Sequence, residues 1–394
     1  ALVCVAACGL LLGSAHAAKR FHQGNSLTGP LTHNPHRFFH TLAGDAGIAN
    51  DSDDSIIIAG TPIELAWNNN KAQFLQKFQT GAPFDFIIIQ PFRHQNTPVR
   101  DWLPKEAIAG AELFRAALQW NPNATMVVYY TWGSWYTNDT DVTWESRMTN
   151  YIAGYFEYFT DIMQQEITNA PIVVVPAAQV LVELSRAING GQIPGLSSMS
   201  ELYYKTGAAN QVHLNGDGYY ASAMTHFGTY YRCPTGLPYR YTMTAYFSDE
   251  GTQVVTFTAA QAAAVQALAW HVLTNYPRSR VSGTARQKPD WQPPSAPQNV
   301  ALGPIATNGQ AALSWTACTD NVGVAFYTVY VDAVHQKTVT TTNYTMTGLT
   351  NLPQKITVRA WDAEYNFAGT SVMVPEAGAL SAAVLLTVGI ARSK

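Results

Sequence analysis

The sequence predicts two folded domains. The first is a three-layer α/β domain of flavodoxin-like type over residues 18–285, built on a parallel sheet. The second is an all-β sandwich over 297–374. Three observations predict this. Between 18 and 285, short β-branched runs alternate with stretches of helical periodicity. Those runs are apolar on both faces, the pattern of parallel strands covered by helices. A proline-rich linker at 286–296, carried by the run Lys288-Pro-Asp-Trp-Gln-Pro-Pro-Ser-Ala-Pro297, then gives way to short alternating strands at regular spacing.

The elements follow in order. Lys19 to Gln23 is expected to be the first strand, ending at a glycine-flanked turn. Ser55 to Ala59, Phe86 to Ile89, Thr125 to Thr131 and Ile172 to Val175 continue the sheet. Helical stretches lie between them at 67–79, 107–120, 144–168 and 178–188, with two more at 216–231 and 259–276. Residues 232–258 read as irregular. In the second domain the expected strands are 299–302, 311–316, 326–331, 336–340, 344–347 and 356–360.

The chain has 394 residues, of which 47% are hydrophobic and 12% charged, with a net charge of −3. The charged share is about half the usual one, and Asn, Gln, Thr and Ser carry the polarity instead. Such a surface has no electrostatic footprint for nucleic acid and suits neutral polar partners such as glycans. Residues 1–17 read as a signal peptide without its start, with an apolar run and an Ala15-His16-Ala17 cleavage site. Val5-Ala6-Ala7-Cys8 faintly resembles a lipoprotein box, but apolar residues continue past Cys8. Beyond that segment only Cys233 and Cys318 remain, in different expected domains, so no disulfide framework is expected. No zinc-ligand spacing occurs. His33, His36 and His40 read as polar loop residues, and no metal or cofactor is expected.

Two segments carry candidate chemistry. Gly24-Asn25-Ser26-Leu27-Thr28 places a serine in the turn after the first strand, at the carboxyl edge where open α/β sheets bind ligands. Far downstream, Asn210-Gln211-Val212-His213-Leu214-Asn215 places a histidine just before a helix. A serine hydroxyl needs a base within hydrogen-bond reach to act as a nucleophile. Together with His213-Leu214-Asn215-x-x-Gly218-x-Tyr220, these segments resemble the first and last sequence blocks of the SGNH/GDSL hydrolases. The resemblance implies Ser26 as nucleophile and His213 as base. It also implies an oxyanion hole of the Ser26 N–H, a glycine N–H after the second strand (Gly60) and a carboxamide after the third. The family's asparagine is absent there, and Gln90 stands as its substitute. The family places an aspartate three residues before the histidine, where this chain has Asn210. Asn210 can accept the ring N–H but brings no charge. Asp217 is the alternative acid, with Glu183 and Glu201 behind it. Trp132, Trp135 and Arg93 are candidate substrate contacts, with His94 beside them; aromatic rings there either stack on sugars or pack the loop.

Other resemblances concern the rest of the chain. Pro294-x-x-Pro297, Leu313-x-Trp315, Asp320-Asn321-Val322-x-Val324, Tyr327-x-Val329-Tyr330, Tyr344-x-x-x-Gly348-Leu349 and Val358-x-Ala360-x-Asp362-Ala363 resemble a fibronectin type III module. Modules of that kind accompany secreted bacterial carbohydrate-active enzymes. Ile356 departs from the usual tyrosine, and Trp315 and Tyr327 are expected in the core. The tail 375–394, with Val374-Pro375-Glu376, an apolar run and basic last residues, is similar to a PEP-CTERM sorting tag, although Ala377 replaces its second proline. The expectation is a secreted or cell-surface bacterial esterase acting on small-molecule or polysaccharide esters. A catalytically impaired glycan-binding protein and an acyltransferase to glycan stand as alternatives.

Overall fold

The computed structural model describes residues 18–32, 38–48, 52–81, 83–92, 99–168, 170–204, 210–232, 237, 242–244, 252–281, 290, 292–349 and 354–374. The expected signal segment, the 375–394 tail, Cys233, Arg93 and His94 lie outside them. The chain forms two compact units. One comprises 1–93, 110–160 and 167–286; the other comprises 94–109, 161–166 and 287–394.

The first unit is built on a parallel sheet of β1 (Lys19–Gly24), β2 (Ser52–Ile57), β3 (Phe86–Ile89), β4 (Thr125–Tyr129) and β5 (Ile172–Val175). Their order is β2-β1-β3-β4-β5, the doubly wound order of flavodoxin-like folds. The α/β expectation therefore holds. Alternate residues of a strand face opposite sides of the sheet, and β1 shows what covers each. Phe21 packs edge-on against Phe74 and Phe78 of helix α1 (Ile63–Gly81), with ring centroids 6.0 and 5.0 Å away. Burying one such ring stabilises the fold by about 1.5–3 kcal/mol.

The opposite face carries Arg20 and His22, both fully buried. Arg20 lies beneath Tyr230 and Tyr231 of a helix spanning Gly216–Tyr231. Its guanidinium makes a bidentate pair with Asp53 (2.7 and 3.0 Å), and the His22 Nε2 lies 3.0 Å from the same carboxylate. Burial would raise the Asp53 carboxyl. The Arg20 charge and the bonds from His22 and Arg20 outweigh it and hold the group well below the ordinary carboxylate range. This pairing explains why β2 begins at Ser52, earlier than the expected Ser55: the polar Ser-Asp-Asp-Ser stretch enters the sheet because Asp53 meets Arg20 there, in register with it.

The later helices follow the expected positions closely. Asp141–Glu166 is helical throughout, with a π turn at Ile152–Phe156. We label this helix α3, after α2 (Val99–Leu118), which starts before the expected Ala107. Then come α4 (Ala177–Asn189), α5 (Gly216–Tyr231) and α6 (Ala259–Asn275). Helix α5 is buried on all sides, with Asp217, Ser222, Thr225, His226 and Thr229 buried among its small and aromatic residues; it packs against α4 and α6 as well as the sheet. Within the stretch expected to be irregular, Thr242–Thr244 pairs antiparallel with Thr252–Val254.

The second unit contains a three-stranded and a four-stranded antiparallel sheet. Its strands are β6 (Gln298–Leu302), β7 (Ala311–Thr316), β8 (Val324–Val331), β9 (Val334–Val339), β10 (Asn343–Met346), β11 (Gln354–Asp362) and β12 (Phe367–Val374). The core expectation for Trp315 and Tyr327 holds: both are buried, in edge-to-face contact at 5.4 Å, among Val300, Leu313, Val329 and Val358. Ile356, at the position of the usual tyrosine, is fully buried in that core. Strand β12 was not anticipated. Its Phe-Ala-Gly-Thr-Ser-Val-Met-Val sequence lacks clean alternation because it pairs only with β11, at the edge of its sheet. Among the described residues no helix is long and apolar enough to cross a membrane.

Candidate active site

The carboxyl ends of β1, β2 and β3 are tied together. Ile58 N–H donates to the Gly24 carbonyl (3.0 Å), and Gln90 N–H donates to the Gln23 carbonyl (3.1 Å). From this edge the chain enters the loop Gly24–Thr28. A Cβ on Gly24 would lie 2.3 Å from Thr28 Oγ1 and 3.0 Å from Gln90 Oε1, so only glycine fits. Asn25 Oδ1 accepts from the Leu27 N–H (3.0 Å) and from Gln90 Nε2 (2.8 Å). The Gln90 Oε1 in turn accepts from the Asn25 N–H (3.0 Å) and the Thr28 hydroxyl (2.5 Å). The Thr28 and Gly29 N–H groups close on the Asn25 carbonyl and start a helical turn.

Asn25, Leu27 and Thr28 are buried; Ser26 is half-buried. The capping and turn-closing work falls to Asn25. Among the described residues Ser26 makes no hydrogen bond, through its hydroxyl or its N–H. Its hydroxyl, like the buried Asn25 Nδ2, is thus a polar group that the loop does not use among the described residues. Gln90, expected as an oxyanion donor, is first a fastener. Its carboxamide locks onto Asn25 and Thr28, with one amide hydrogen left uncommitted among the described residues. Gly60 sits in the exposed turn after β2 with a φ of +60°, where a Cβ would meet nothing within 4 Å. Backbone conformation, not space, calls for glycine there.

The histidine segment is held mainly through backbone. Asn210 and Gln211 form a two-residue ribbon with Tyr136 and Trp135. The Trp132 indole N–H donates to the Val212 carbonyl (2.7 Å). Tyr204 N–H donates to the His213 carbonyl (3.0 Å), and Asn215 N–H to the Leu202 carbonyl (2.9 Å). Asn215 then caps α5: its Oδ1 accepts from Gly218 N–H, and its Nδ2 donates to the Glu201 carbonyl. A Cβ on Gly218 would lie 2.6 Å from the Leu202 carbonyl oxygen. The His-Leu-Asn-x-x-Gly pattern is therefore a helix entry with a histidine on it. The Asn210 side chain lies outside what the structure describes.

Both segments belong to one edge of the sheet. Ser26 follows β1 directly, and Val212 is bound to Trp132, three residues past the end of β4. Strand β3 alone separates β1 from β4, so these strands run roughly 10 Å apart. Ser26 and His213 are not hydrogen-bonded to each other.

The alternative acids are occupied elsewhere. Asp217 Oδ1 accepts from the Thr256 and Phe257 N–H groups (2.7 and 3.1 Å), and its Oδ2 accepts from the Thr256 hydroxyl (2.5 Å). It anchors the chain before α6 instead of facing a histidine ring. Glu183 pairs with Gln179 and Arg186, and Glu201 accepts from Ser197 and Ser198 at a 3-10 turn. Of the aromatic candidates, Trp132 is 3% exposed and packs between Tyr129 and Tyr219, which excludes it as a substrate platform. Trp135 is half-buried, against Trp144 and Tyr203. Elsewhere, in the second unit, carboxylate oxygens of Asp290, Asp320 and Asp362 lie within 4.8 Å of one another; Asp362 is bonded to Asn366.

No family model matches the chain. About a quarter of it, the size of the β-sandwich module, is 40% identical over 100 residues to Exoglucanase B of Cellulomonas fimi. The chain spans 9% of that protein's length, and 17% and 13% of two chitinases it also matches. These relatives support the fibronectin-type reading of the C-terminal module. Among solved structures, a Slackia heliotrinireducens protein provisionally assigned as an SGNH hydrolase overlays on 54% of this chain and 97% of its own. Its identity is 17% and its TM-score 0.32. A two-domain esterase active on acetylated mannans overlays on 95% of both chains at 12% identity, with a TM-score of 0.34.

Proposed function

We propose that the α/β unit is a serine ester hydrolase acting on carboxylic esters of carbohydrate, acetyl esters foremost. The observation that carries this is Ser26: a half-buried residue whose hydroxyl makes no hydrogen bond among the described residues, in a loop where the Asn25, Thr28 and Gln90 side-chain oxygens are interlocked, at the ligand-binding edge of a parallel sheet. In this reading Ser26 Oγ attacks the ester carbonyl and passes its proton to His213. The Ser26 N–H, the Gly60 N–H and the Gln90 amide hydrogen not given to Asn25 stabilise the oxyanion. The intermediate collapses, the sugar alcohol leaves with the proton from His213, and an acyl-serine remains. Water, deprotonated by His213, then releases the carboxylic acid and restores Ser26. Asn210 would orient the ring as a neutral acceptor. Carbohydrate is favoured because the relatives matched over about a quarter of the chain include an exoglucanase and two chitinases and because Trp135 offers a partly open aromatic face beside the histidine ribbon. The chain would be exported through residues 1–17 and retained at the cell surface through 375–394.

A second reading, a glycan-binding protein of impaired catalysis, draws on the commitment of Asp217, Glu183 and Glu201 to other partners. A fluorophosphonate probe separates the two. The first reading expects labelling of the full chain that is lost in Ser26→Ala and reduced at least a thousandfold in rate in His213→Ala. An unlabelled wild type that still binds acetylated polysaccharide overturns it. Acyl transfer in place of hydrolysis would appear as an acylated sugar acceptor among the products.

A further inference from the structure

We infer that Trp132 is a positioning residue for His213, fixing the backbone that carries the imidazole. This rests on the reading of His213 as the base.

A serine hydrolase histidine needs a fixed orientation as well as a charge partner, and a triad aspartate supplies both. Here Asp217, Glu183 and Glu201 accept hydrogen bonds from other groups, and residue 210 is an asparagine. The segment carrying His213 is nevertheless fastened on both sides of that residue. The Val212 carbonyl takes the Trp132 indole N–H at 2.7 Å, and the His213 carbonyl takes the Tyr204 N–H at 3.0 Å. The indole itself cannot swing: it is 3% exposed, edge-on to Tyr129 of β4 at 6.4 Å and to Tyr219 of α5 at 5.6 Å. It thus links the end of a central strand to the residue before the histidine.

The loop around Trp132 is braced in turn. Tyr203 Oη donates to the Gly133 carbonyl (2.7 Å) and accepts from the Trp144 indole (2.9 Å). Arg147 donates to the Ser134 carbonyl (2.7 Å) while pairing with both oxygens of Asp139. Trp135 and Tyr136 then close the ribbon with 210–211. A buried ring with a single polar atom, spent on one carbonyl next to the candidate base, is a device for fixing where that base stands.

The test is Trp132→Phe, which keeps a buried ring and deletes the N–H. The fluorophosphonate labelling rate and kcat are expected to fall about tenfold, the loss of one hydrogen bond's worth of alignment, with KM changed less than twofold. Hydrogen exchange should accelerate at 210–214 and not in β1 or β3. The His213 ring signals in NMR should be single in the wild type and broaden or double in the variant. Should Trp132→Phe not fold, benzothienylalanine at 132, the indole isostere without the N–H, makes the same test. Unchanged exchange at 210–214 with an unchanged His213 spectrum overturns the inference, as does a raised KM at constant kcat, which would make Trp132 a substrate contact. A wild type without Ser26-dependent labelling would defeat the esterase reading instead, and the exchange and NMR measurements would still decide the role of Trp132.

Discussion

The serine loop and the histidine segment stand on the same edge of one sheet and are built by opposite means. Gly24–Thr28 is shaped by side chains: two carboxamides, Asn25 and Gln90, bond to each other and to the loop backbone, with Thr28 as a third fastener. Residues 210–215 are shaped by backbone pairing, with Trp132 and Asn215 as the side chains that matter. Side-chain interlocks fix a loop tightly but depend on each member. Backbone pairing distributes the constraint, so single changes there have smaller effects.

The contrast is broken most strongly at Gly24. In Gly24→Ala the added carbon meets Thr28 Oγ1 at 2.3 Å, and the Gln90–Thr28–Asn25 lock cannot close around it. Labelling of Ser26 by a fluorophosphonate is expected to fall at least a hundredfold. Gly60→Ala, where no atom lies within 4 Å, bears only the left-handed backbone, about 1–2 kcal/mol of stability. Comparable labelling rates in the two variants would show that the loop is not locked as described.

The two regions also differ in what lies under them. Beneath β1 are Arg20, Asp53, His22 and His226, the last with its Nδ1 2.9 Å from the Tyr230 hydroxyl. Burial, followed by the nearby His22 and Arg20 charges, pushes the His226 ring well below its ordinary pKa, against the weaker pull of Asp53. The folded state keeps His226 neutral while the unfolded chain accepts a proton near pH 6.5. Its contribution is therefore complete above pH 6.5 and is lost as pH falls below it, at about 1.4 kcal/mol per pH unit for one proton. Denaturant unfolding of the full chain between pH 7.5 and 5 should show that slope, flattened in His226→Gln. Parallel slopes in the two proteins would remove His226 from the account.

How far the sequence spoke differs between the regions for the same reason. The glycine-flanked serine was legible because turn chemistry is local: Gly24, Asn25 and Thr28 lie within five residues. The parallel sheet was legible from its apolar runs. The start of β2 was not, since the place of Asp53 in the sheet is set by Arg20, on another strand and 33 residues earlier. Nor was the role of Trp132, whose N–H finds its acceptor 80 residues away. An aromatic loop near a site reads as a sugar platform until its burial is known; the fold leaves that part open to Trp135. Asp217 misled by helical spacing alone. One turn beyond the histidine it is well placed on paper, but at the first turn of a buried helix its carboxylate turns to the N–H groups of Thr256 and Phe257.

The smallest expected effect lies there and sharpens the comparison most. Asp217→Asn keeps the shape and one acceptor but loses the charge that three donors share. Hydrogen bonds to a charged group contribute about 1.5–3 kcal/mol each, and their partial replacement by neutral ones should lower stability by about 1–2 kcal/mol. Labelling rate and its pH profile should move less than twofold. An acid partner of the catalytic histidine behaves otherwise: the Asp-to-Asn change in the trypsin triad lowers turnover by about 10⁴. A drop of that size in Asp217→Asn, with the fold intact by exchange at 252–258, would mean that the helix entry rearranges in the working enzyme and that the backbone mount of His213 is not what orients it. A small stability loss with an unmoved rate removes Asp217 from the orientation of the histidine. Asn210→Asp should then accelerate the reaction, because a charge would join an orientation already fixed.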